Sequence, residues 1–129
     1  MKIKSLAIVL FVLAINSVSA QSTFDKWPAI KAFHEVISQT FHPSEEGNLE
    51  PIKARSEELM NSATAVLKSD IPAEYRTPAI LASAEKLQLK SKALHKMVTA
   101  KASDADLKKS LSELHDVFHE IVGLCSEKK

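Results

Sequence analysis

Glycine stands at only two positions of this chain, Gly47 and Gly123, while alanine, leucine, lysine and glutamate are plentiful. Tight turns between strands call on glycine where φ turns positive, so a chain this poor in it is steered away from strands and toward helices. The apolar residues keep helical time in four segments. These are Ile30, Phe33, Ile37 and Phe41; Ile52, Leu59, Ala63 and Val66; Ile80, Leu87, Leu94 and Val98; and Leu107, Leu111, Leu114, Phe118 and Ile121. Each segment has one stripe to bury. Four such helices with short links most economically form an all-α, antiparallel up-down-up-down four-helix bundle.

Local signals set the expected boundaries. Trp27-Pro28 opens the first helix, with the proline where its missing N–H costs nothing, and Pro43 closes it just after Phe41-His42. After a polar loop from Pro43 to Asn48, Asn48 caps a second helix that runs to about Lys68, with Pro51 in its first turn. Asp70 to Arg76 reads as a connector in which Tyr75-Arg76 has no evident partner. Thr77-Pro78 repeats the cap-then-proline signal for a third helix to about Ala100. Ser103 with Asp106 resembles a capping box for a fourth that reaches Val122 or slightly beyond.

The first 20 of the 129 residues read as an export signal rather than as fold. Lys2 and Lys4 supply a basic start, Leu6 to Ile15 an apolar stretch too short for a comfortable membrane span, and Val18-Ser19-Ala20 a small-residue cleavage motif. Cleavage after Ala20 leaves a single domain over residues 21–129, periplasmic or secreted, with no membrane span. Losing Lys2 and Lys4 takes the 17 basic residues to 15 against 16 acidic, so the formal charge moves from +1 to −1. A general electrostatic grip on nucleic acid is not expected of such a chain. Export permits disulfides, yet Cys125 is the one cysteine, so no bridge forms within the chain.

All five histidines, His34, His42, His95, His115 and His119, survive cleavage and form the most suggestive chemical set. His115 and His119 are four apart on a helix, which brings their Cβ atoms to about 5–6 Å, close enough to share an ion. At about 100° per residue from Phe118, both lie to one side of the buried stripe, and His34 falls on the like-handed flank of the first helix. Equal rise along antiparallel helices sets His34 opposite about Phe118, so His34, His115 and His119 are expected to converge on one metal ion. By the same estimate His42 and His95 belong at the other end of the bundle, where they form at most a second site. Three imidazoles with an open fourth position suit Zn²⁺, Cu²⁺ or Ni²⁺. Core-boundary histidines also pack simply against their neighbours, and both readings remain open.

Cys125 and Met60 offer soft sulfur as additional ligands, although a lone cysteine on a stripe is more often a packed hydrophobe. Phe24, Trp27, Phe33, Phe41 and Phe118 have the composition of a wall for a flat ligand and, equally, of an ordinary core. Glu45-Glu46 and Lys108-Lys109 read as solvated charges. The chain carries no glycine-rich phosphate loop and no G-x-S-x-G elbow, and an enzyme is not expected.

An export signal followed by about 109 residues of bundle, with His34 on the first helix and His119 on the last, resembles in size and layout the periplasmic bundle cytochromes of the non-covalent b type and the c′ type. The b type takes one axial ligand, typically methionine, from the start of its first helix and a histidine from near the end of its fourth. His34 and His119 are the nearest matches, but His34 is not a methionine and lies deeper in its helix. The c′ type needs C-x-x-C-H in its last helix, where this chain has Leu124-Cys125-Ser126-Glu127. The resemblance thus implies haem b as an alternative cofactor, with electron transfer as the role. The expected function is histidine-based binding of a transition metal, most simply zinc or copper, for buffering or delivery. A ligand-free module that docks on another envelope protein is the rival from a different class.

Overall fold

Prolines open three of the four long helices, each in the first turn, where the missing N–H has no intrahelical partner to lose. The computed structural model describes residues 21–126, so the expected export segment lies outside the described residues. Residues 21–26 are helical, and Trp27 separates them from α1, Pro28–Glu45. α2 spans Glu50–Lys68, α3 Pro78–Thr99 and α4 Asp104–Ser126, with a single 3-10 turn at Ala73–Tyr75. No strand occurs among the described residues.

Two expected caps form: Thr77 accepts a hydrogen bond from the Ile80 amide and Ser103 one from the Asp106 amide. Asn48 accepts from the Glu50 amide at 3.1 Å, although the residue at the helix boundary is Leu49. Pro43 does not end α1, contrary to the sequence expectation. The helix runs through it to Glu45, because a proline in the last turn forfeits one hydrogen bond while its own carbonyl accepts from the Glu46 and Asn48 amides, both at 3.0 Å. Gly123 likewise lies inside α4, which carries Cys125 within the helix.

Each helix packs on its neighbour in the chain, and α4 closes back onto α1. The core holds Trp27, Phe33, Ile37, Leu59, Leu87 and Leu111, all fully buried. Of the residues expected in the stripes, Val98 alone is only half-buried; it lines a cleft of about 280 Å³ with Lys53, Lys101, Ala102 and Leu107. Tyr75 and Arg76 do have partners, which the sequence did not reveal. Tyr75 stacks on Trp27 with ring centroids 5.9 Å apart, and Arg76 donates to the Ile71 carbonyl at 2.7 Å and to Asp70. Trp27 in turn donates from Nε1 to Ser69 Oγ at 2.9 Å, and Lys26 pairs with Glu74 at 3.0 Å. These bonds anchor the start of α1 to the connector between α2 and α3. No described helix is long and apolar enough to cross a membrane.

Candidate functional site

The α3–α4 seam is held partly by charge, with Lys86 against Glu120, Lys90 against Glu113, and Ser83 donating to Glu120 at 3.0 Å. The α1–α4 seam is built differently. Among the described residues no ion pair joins α1 to α4, and a row of aromatic and imidazole rings lies between them instead. His115 stacks on Phe41 with centroids 3.8 Å apart and planes 9° from parallel. His119 meets His115 edge-on at 4.4 Å and 75°. Phe118 adjoins His119 at 5.7 Å and His34 at 5.3 Å, and His34 stacks on Phe24 at 4.8 Å. Phe33 backs the row from the core at 5.8 Å from Phe118. Residues three and four apart on α4 supply this face because they project along one side of a helix.

The three histidines singled out from the sequence therefore share one row, and His34 lies against Phe118 as the rise estimate places it. His34 and His115 each present a ring face to a phenylalanine. No group of three or more His, Cys, Asp or Glu among the described residues is disposed to hold a metal ion. His42 lies three residues before the end of α1, exposed, with its ring 5.8 Å from that of its chain neighbour Phe41. Phe24 was missed as a partner of His34, since it lies ahead of the helix assigned from periodicity.

Burial sets the charge state of the row. The His115 imidazole is pushed down to about 4, chiefly by burial and then by neighbouring His119, against an opposing pull from Asp116. His34 is lowered for the same leading reason, with His119 next and Glu35 opposing. Both rings are neutral at neutral pH, so each keeps one nitrogen lone pair free to accept a proton or ligate an ion. His42 and His119 are exposed at the flanks of the row.

The remaining candidates lie elsewhere. His95 on α3 shares a 2.9 Å hydrogen bond with Ser56 of α2 through Nδ1. Met60 is half-buried on α2. Cys125 is buried near Tyr75, and burial, followed by Glu74, pushes its thiol up to about 12, so it is protonated and a poor ligand at neutral pH. No histidine lines the cleft beside Val98. The fold and this ring row together describe an all-helical bundle with a histidine-bearing seam. Comparison with protein-family models, with characterised proteins and with solved structures finds no match to this chain.

Proposed function

We propose that the chain is an exported helical bundle, released to the periplasm or beyond by cleavage after Ala20, that binds a transition-metal ion through His34, His115 and His119 for buffering or delivery. The observation that carries this reading is the edge-on contact of His115 with His119 one helical turn apart, at 4.4 Å, with His115 kept neutral by its surroundings. His34 supplies the third imidazole by turning off Phe118. Giving up that stacking costs about 0.5–1.5 kcal/mol, small beside the roughly 10 kcal/mol or more that a well-made zinc site returns. Coordination that draws on such a rotation leaves the ion exchangeable, which suits carriage better than permanent structural retention. Zinc and copper fit imidazole donors best. The role is carriage rather than catalysis.

An up-down-up-down arrangement underlies this reading. It is supported by the short links, by the return of α4 onto α1, and by the order of the ring contacts, in which His34 meets Phe118 while the later Phe41 meets the earlier His115. The test is metal analysis by mass spectrometry on purified untagged protein, with its absorption spectrum, beside a His34→Ala, His115→Ala, His119→Ala triple variant. The expected result is near-stoichiometric metal in the wild type and its loss in the variant. Protein that stays metal-free after reconstitution with Zn²⁺ and Cu²⁺ sinks the proposal, and a Soret band reassigns the row to haem b.

A further inference from the structure

The large apolar side chains left exposed among the described residues are Leu81 and Leu89, and both belong to α3. Leu89 is the more open, at 64%. The polar side chains of α3 divide around it. Lys86 and Lys90 turn to one flank and pair with Glu120 and Glu113 of α4, while Gln88 turns to the other and donates to Thr64 of α2. Glu85, Lys92 and Lys96 lie between those flanks, exposed, and form no ion pair among the described residues. At about 100° per residue, Ala82, Glu85, Ala93 and Lys96 fall within about 40° of Leu89 and Lys92 within about 60°. One exposed face therefore has Leu89 at its centre, alanines toward α4 and unpaired charges toward α2.

This face is complementary to its own reverse. Along the helix Glu85 stands about 6 Å before Leu89, and Lys92 about 4.5 Å beyond it. A two-fold axis at Leu89 sets a second α3 antiparallel to the first, reversing heights and keeping like-handed flanks on the same side. Glu85 of one copy then comes level with Lys92 of the other to within about 1.5 Å, and the pair forms twice. On the opposite flank each Lys86 meets Ala93 rather than another lysine. A parallel pairing would instead set Glu85 on Glu85 and Lys92 on Lys92, which repel.

We infer that the chain self-associates through the outer face of α3, as an antiparallel two-fold dimer centred on Leu89 and held in register by two Glu85–Lys92 pairs. The occupant is a second copy because the charge order matches itself reversed. A contact made by one helix from each copy falls at the small end of specific interfaces, which span roughly 1,200–2,000 Å² in total, so dissociation near about 10–100 µM is expected. The dimer is independent of the ring row, which lies between α1 and α4.

Sedimentation velocity on untagged protein, from below to well above that range and with EDTA and a thiol reductant present, tests it. Wild type is expected to pass from monomer to dimer, and Leu89→Lys to stay monomeric, with circular dichroism confirming its helices. Glu85→Lys and Lys92→Glu, each of which sets like charges together twice, should weaken association about tenfold. Mixed in equal amounts, one of them isotopically labelled, these two variants should form heterodimers in native mass spectra at the wild-type level, because every reversed charge then meets its opposite. A wild type that stays monomeric throughout overturns the inference, as does a dimer that survives Leu89→Lys. A mixture that yields no excess of heterodimer overturns the antiparallel register.

Discussion

Gly47 and Lys101 occupy the same position in two copies of one motif. At the end of α1 the Gly47 amide donates to the Ser44 carbonyl and the Asn48 amide to Pro43; at the end of α3 the Lys101 amide donates to Val98 and the Ala102 amide to Met97, all at 3.0 Å. Both residues hold positive φ, 91° and 61°. Glycine does so freely, whereas a side chain there crowds its own carbonyl. Lys101→Gly is therefore expected to stabilise the fold by about 0.5–1 kcal/mol and Gly47→Ala to destabilise it by about 1 kcal/mol, read from urea midpoints. Equal midpoints for either variant and wild type contradict this account. Ser91 is a second local conflict, its hydroxyl buried on α3 with no hydrogen-bond partner among the described residues. Removing an unsatisfied buried oxygen leaves little cavity, so Ser91→Ala should gain about 1 kcal/mol by the same measurement.

The α1–α4 seam carries the pH dependence expected of the fold. An unfolded histidine titrates near 6.5, while folded His115 titrates near 4 and His34 also below its ordinary value. Well above pH 6.5 neither state is protonated at these rings and they add no pH dependence. As pH falls from 6.5 toward 4 the unfolded chain takes up protons that the folded row refuses, so stability is lost across that window. For His115 the loss is about 1–2 kcal/mol by pH 4.5, after allowance for the solvent that still reaches the ring. Urea titrations at stepped pH check it. His115→Phe, which keeps an aromatic ring against Phe41, should flatten the slope, and an unchanged slope would place the titrating group elsewhere. The α3–α4 seam, joined by exposed lysine–glutamate pairs, should instead weaken slightly with salt.

In the whole molecule, helices and stripes are legible in the sequence because they are written in near-neighbour terms. A proline in the first turn, a threonine or serine cap and an apolar residue every third or fourth position act within one or two turns. Pro43 misled because whether a last-turn proline stops a helix depends on what its carbonyl meets beyond it. Cys125 shows the same division: the spacing places it on the buried stripe, but its closeness to Tyr75 follows from how the end of α4 sits against the connector. Its thiol is expected to resist a disulfide reagent in native protein at neutral pH and to react at the rate of unfolding; rapid native labelling would contradict its burial. The sequence by itself determined an all-helical chain, its four stripes, and a set of histidines at core boundaries, since periodicity and propensity are local. Only tertiary structure decided that Phe24 and Phe41 join His34, His115 and His119 in one row, because ring contacts across a seam depend on the relative height and rotation of two helices about 80 residues apart in the chain.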